Sequence, residues 1–172
     1  MAITDIVITK NEFFRQLAHQ FGLAIEANNF ESFLYGPHAY ILQTYLSIIT
    51  SNDDVTAPSF ACHMQVPLRT MTSQTSFPDH AALATTLSNG RAIICVNIVF
   101  LWEVKGLGNI WYGPRARTGS GKMFDRYLHQ VNRQALSAFA DPMGKYLTEL
   151  YAFLACGNHF HLLKYRMPPK AL

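Results

Sequence analysis

Arg91-Ala92-Ile93-Ile94-Cys95-Val96-Asn97-Ile98-Val99-Phe100-Leu101-Trp102-Glu103-Val104 is the run on which the fold turns. Its apolar character is nearly continuous rather than alternating, the pattern of a strand covered on both faces. The longest apolar part, Ala92 to Trp102, is interrupted by Asn97 and falls well short of the roughly 20 residues a helix needs to cross a bilayer. Gly106-Leu107-Gly108-Asn109 follows as a turn, and Ile110 to Arg117 reads as a partner strand, so a hairpin is expected here. Gly119 to Gly121 would end it.

Upstream, Ser59 to Thr72 reads as a strand in which Pro67, unable to donate to a ladder, implies an edge or a bulge. Ser76-Phe77-Pro78-Asp79 predicts a short helix with Leu83 and Leu87 inward, closed by Asn89-Gly90. Further back, Thr9 with Glu12 makes a capping box, and Phe13, Phe14, Leu17, Phe21 and Ile25 recur at helical spacing. Asn28-Asn29 ends that helix and Gly36-Pro37 signals a turn. Tyr40 to Thr50 is rich in β-branched and aromatic residues and is assigned to a strand, although Leu42, Tyr45, Leu46 and Ile49 also fit one helical face.

Downstream, Lys122 opens a helix along Phe124, Tyr127, Leu128, Val131, Ala135 and Phe139. Asp141-Pro142 is an N-cap followed by proline, which predicts a new helix through Leu147, Leu150 and Leu154 to Gly157. His159 to Tyr165 closes the chain as a strand, or the strand begins earlier, at Tyr151. The expected class is α+β: a ferredoxin-like split βαββαβ sandwich with an additional N-terminal helix. One domain over residues 1–172 is expected, with about 1–8 and 167–172 mobile.

Composition narrows the class of protein. Of 172 residues, 49% are hydrophobic and 15% charged, against about 25% charged in an ordinary soluble domain. A second apolar face is therefore expected, covered by a homo-oligomer or a protein partner. Cys62, Cys95 and Cys156 are widely spaced in apolar surroundings, which points to free thiols and to no zinc or disulfide framework. Met1-Ala2-Ile3-Thr4-Asp5 shows no secretory pattern, so residence in the cytoplasm is expected.

Charge is unevenly spread: residues 1–56 carry two bases and six acids (−4), and residues 57–172 carry twelve bases and five acids (+7). Lys105, Arg115, Arg117, Lys122, Arg126 and Arg133 meet a single acid, Asp125, between 105 and 133. Arg115, Arg117, Lys122 and Arg126 are candidates to grip an anionic partner, with Trp111 or Tyr112 stacking on an unpaired base if that partner is a nucleic acid. Thr118-Gly119-Ser120-Gly121-Lys122 departs from a nucleotide phosphate loop at Ala116 and Met123, but a simple anion nest at a helix start survives both departures.

Asn158-His159-Phe160-His161-Leu162-Leu163 resembles the histidine–hydrophobe–histidine motif of HUH nucleases and transposases. Residues i and i+2 of a strand share a face, so His159 and His161 are candidates to share one ion. The resemblance implies a divalent metal, a third polar ligand and a nucleophilic tyrosine, for which Tyr127 and Tyr146 are the candidates. Tyr165 follows the motif too closely. The leading expectation is a non-enzymatic binding or assembly protein that self-associates and meets an anionic partner through the basic segment. It needs no cofactor. The alternative is a metal-dependent single-strand nuclease.

Overall fold

The computed structural model describes residues 9–27, 31–49, 57–69, 75–88, 92–106, 113–157 and 159–167. In chain order the elements are helices α1 (Lys10–Glu26) and α2 (Glu31–Ile49), strands β1 (Ser59–Met64), β2 (Leu68–Arg69), β3 (Thr75–Ser76), β4 (His80–Ser88) and β5 (Ala92–Lys105), helix α3 (Gly113–Ala140), a 3-10 turn (Pro142–Gly144), and strands β6 (Glu149–Cys156) and β7 (His159–Arg166). The class is α+β: three helices and a five-stranded mixed sheet in the order β1-β4-β5-β6-β7. Only β5 and β6 run parallel. A parallel neighbour needs a crossover, and α3 supplies it.

β5 is covered on both faces, as its composition requires. On one face Ile98 and Leu101 pack with Leu83, Leu150 and Leu154 beneath Phe124, Val131 and Ala138 of α3. Ile98 and Leu101 reach the same side because the pairing register slips between Ala82 and Leu83, leaving Val99 as the extra residue. On the other face Val104 and Trp102 pack with Ala24 of α1 and Leu34 of α2. These two helices lie over the β1 and β5 side of the sheet. Toward β6 and β7 the same face presents Tyr151, Phe160 and Leu162, which are 40%, 62% and 53% exposed.

Several elements differ from expectation. Residues 80–88 form a strand, not a helix, in which Ala81, Ala82 and Leu83 are buried between β1 and β5. Asp79, which resembles a helix start, instead accepts a hydrogen bond from the Val104 N–H at 2.7 Å. Residues 40–49 of the expected Tyr40 to Thr50 strand are the second half of α2, Thr50 lying outside the described residues; Leu42 and Leu46 are buried one turn apart, and the helix runs through Gly36 and a buried Pro37. Of the expected hairpin partner near Ile110 to Arg117, residues 110–112 lie outside the described residues and 113–117 are the start of α3, in which Ala116, Ser120 and Phe124 bury a stripe at spacing four. That burial carries the helix through Gly119 and Gly121, each of which costs about 1 kcal/mol of helix propensity.

The helix expected after Asp141 is only the 3-10 turn, capped by the Asp141 side chain on the Met143 N–H. Leu150 and Leu154 match a helical period, but Ala152 and Cys156 are buried with them, which is the period-two pattern of β6. The split βαββαβ order is not confirmed. The expected strand from Ser59 stops at Met64 before Pro67, and β1 is a sheet edge. The α1 cap on Thr9, strand β5 and strand β7 stand where expected. Residues 1–8 and 168–172 lie outside the described residues. Among the described residues, no helix is long and apolar enough to cross a membrane.

A Cβ on Gly144 would stand 1.7 Å from the Ala138 carbonyl oxygen, whereas one on Gly22 would meet nothing within 4 Å. Gly144→Ala is therefore expected to destabilise by ~3 kcal/mol or more, and Gly22→Ala, in mid-helix, to stabilise by about 0.5–1 kcal/mol. Urea unfolding midpoints of the two variants measure this; equal midpoints would contradict the packing described for the 3-10 turn.

Candidate anion-binding cleft

Arg117, Ser120, Gly121 and Phe124 stand at i, i+3, i+4 and i+7 and so lie on one face of α3. Across from them β7 contributes His159, Phe160 and His161, and the seven residues enclose a cleft of about 460 Å³. The two candidate features of the sequence, the basic segment and the histidine pair, thus meet in one place. His161 stacks on Phe124 with ring centroids 3.8 Å apart and planes 21° apart. His161 is nevertheless exposed as a residue. The His159 Nε2 is buried and has no hydrogen-bond partner among the described residues.

Only part of the predicted basic set faces this cleft. Arg117 lines it, while Arg115, Lys122 and Arg126 are exposed elsewhere on α3. Arg126 lies over the Tyr127 ring, 5.4 Å from its centroid. Arg115, Arg117 and Lys122 have no ion-pair partner among the described residues, which leaves all three charges for a ligand. Trp111 and Tyr112 lie outside the described residues. Gly119-Ser120-Gly121 lies within α3, not at its start, so the expected nest at a helix N-terminus does not form; the Ser120 hydroxyl donates to the Arg117 carbonyl oxygen at 2.9 Å.

The histidine pair shares a face, as strand spacing requires. Among the described residues, however, no three His, Cys, Asp or Glu side chains gather as a metal-binding group. The candidate tyrosines point elsewhere. Tyr127 lies beneath the Lys105 ammonium at 5.1 Å, Tyr146 is exposed beside Lys145, and Tyr165 donates to Asn132 Oδ1 at 2.7 Å.

Sequence reasoning missed a second polar cluster. At the end of β5, the buried Lys105 Nζ lies 2.7 Å from Glu103 Oε1, 3.1 Å from Glu31 Oε1 and 3.8 Å from Asp79 Oδ2. Glu103 also accepts from Gln130, and from Gln134 at 2.7 Å, both on α3. The Tyr35 hydroxyl lies 2.9 Å from Asp79 Oδ1 and 3.1 Å from Glu31 Oε1. Burial alone would pull the Lys105 ammonium down, but its bond to Glu103 and the charges of Glu103, Asp79 and Glu31 push it above the usual lysine range. Burial, with the charge of Glu103, raises Asp79 to about 6 against the bonds from Val104 and Tyr35. The available signal was Glu103 and Lys105 at spacing two at the end of an apolar strand, which puts both charges on one buried face.

No family model matches the chain, and no curated protein or solved structure matches it either. Function therefore has to be argued from these residues.

His38, on α2, and His80, at the start of β4, are both buried, and burial lowers each from 6.5 to about 4. Their depressed values contribute stability above pH 6.5 that is lost as pH falls toward 4. Asp79 works in the opposite direction, since a carboxyl raised from 3.8 to about 6 relieves strain on acidification. Two histidines against one aspartate leave a net loss, on the order of 3 kcal/mol between pH 6.5 and 4. Urea titrations at half-unit steps test this; stability that is flat or rising toward pH 4.5 would contradict neutral, buried histidines.

Proposed function

We propose that the protein is a non-enzymatic binding or assembly protein that engages an anionic partner in the α3–β7 cleft and associates with copies of itself along β7. One observation carries the anionic reading: Arg117, His159 and His161 line a cleft whose described walls contain no carboxylate. Arg115 and Lys122 extend the same positive field along the outside of α3. The nuclease reading has its histidine pair on one face, but neither a third ligand nor a tyrosine among the described cleft residues, and is not carried forward.

Self-association is supported by the edge of the sheet. β7 pairs with β6 over eight residues without a register shift, and among the described residues nothing pairs with its outer side. A long regular edge is a template for another strand. Two-fold pairing of β7 with a second copy about Leu162 would set Lys164 opposite Phe160 and His161 opposite Leu163, so that no like charges meet. Lys164 and Arg166 share the Glu149 carboxylate, at 2.7 and 3.2 Å, which offsets one of their two charges. The exposed Phe160 and Leu162 would be covered across the seam. Free Cys62, Cys95 and Cys156 suit a reducing compartment such as the cytoplasm.

Sedimentation velocity with inorganic polyphosphate separates the two halves of the proposal. The wild type is expected to sediment as a dimer or larger, Leu162→Glu as a monomer, and Arg117→Ala as an oligomer with several-fold weaker polyphosphate binding. A wild type that stays monomeric at every concentration would refute self-association. Unchanged binding by Arg117→Ala would refute the cleft.

A further inference from the structure

We propose that the anionic partner of the α3–β7 cleft is single-stranded nucleic acid, with a backbone phosphate at Arg117 and a base stacked on the His161 ring. This rests on the cleft being the anion site and says what kind of anion it takes. Arg117 and Phe124 are seven residues apart on one helix, about 10 Å along its axis. The α3 wall of the cleft therefore carries a cationic side chain toward one end and an aromatic one toward the other, which suits a ligand with both a phosphate and a ring better than a bare phosphate.

The aromatic end is already assembled. Phe124 and His161 lie ring on ring at 3.8 Å, so an incoming base would be the third layer of an existing stack and would meet a platform with little freedom left to lose. The volume of about 460 Å³ leaves room for a base and its sugar as well as the phosphate. His159 lines the same cleft. Gly121 forms part of the α3 wall, and a Cβ there would meet nothing within 4 Å. The space in front of it is open to the ligand. A double helix keeps its bases stacked on each other and presents none to such a platform, so duplex should bind only through its charge.

Fluorescence anisotropy with a labelled single-stranded oligonucleotide, across a salt series, tests the inference. The competitors are duplex of the same sequence and inorganic polyphosphate of matched charge. The oligonucleotide is expected to bind, with the unlabelled single strand competing about tenfold better than either alternative. His161→Ala should weaken binding about tenfold while leaving the salt slope unchanged, because it removes stacking and no phosphate contact. Arg117→Ala should lower the slope by about 0.7, one contact on a single strand. Gly121→Leu fills the cleft and improves helix propensity, so it should abolish binding while the thermal midpoint holds or rises; that variant separates a blocked site from an unfolded one. Equal competition by polyphosphate together with an unaffected His161→Ala would overturn the nucleic-acid assignment and leave the anion site standing. Failure of the oligonucleotide and polyphosphate alike to bind at low salt would overturn both.

Discussion

A single ammonium group, on Lys105, ties together parts of the molecule that lie on opposite faces of the sheet. It contacts Glu31 at the start of α2, Asp79 at the start of β4 and Glu103 on its own strand, and Glu103 is held in turn by Gln130 and Gln134 of α3. A buried ion cluster of this kind is a poor source of net stability, since desolvation offsets much of the attraction. Its value is in placement. Leu, Ile and Val side chains would hold α3 against the sheet in several rotations and registers, whereas Glu103 accepts Gln130 and Gln134 in one. With α3 fixed at its middle by that contact, its first turns are carried to the β7 edge, and Arg117 comes to face His159 and His161.

The second constraint is the parallel step from β5 to β6. A hairpin after Lys105 would have put the basic residues on a strand at the sheet margin. The crossover puts them on a helix that passes over the sheet, so that one helical face is buried and the flanking charges are left in solvent. The consequence is a division of labour along α3: Ala116, Val131 and Ala138 belong to the core, Arg117 and Gly121 to the cleft, Phe124 to both, and Arg115 and Lys122 to the outer surface. The opposite sheet face is divided in the same way, covered by α1 and α2 over β5 and bare at β7, where Phe160 and Leu162 are exposed.

What the sequence made legible follows from how local each signal is. The Thr9 cap with Glu12, the two-sided apolar run of β5 and the short strand from His159 are each specified within a few residues, and each forms as read. Leu150 and Leu154 satisfy periods of two and of 3.6 alike, and only the pairing of β6 with β5 and β7 decides between them. Ala81 and Ala82 favour a helix in isolation, but they are buried in a strand paired on one side with β1 and on the other with β5. Of the candidate site, Arg117, His159 and His161 were named from the sequence. Their convergence was not legible, because it depends on the α3 crossover, and the Lys105 cluster depends on four elements meeting at one end of β5.

The most direct test of where the anion binds is a heteronuclear NMR titration of the isotopically labelled protein with a single-stranded oligonucleotide, following backbone amides and imidazole carbons together. The account predicts shift changes concentrated at residues 117–124 and on the rings of His159 and His161, with α1 and α2 unmoved. Saturable binding that shifts α1 or α2 and leaves both rings unchanged would contradict it.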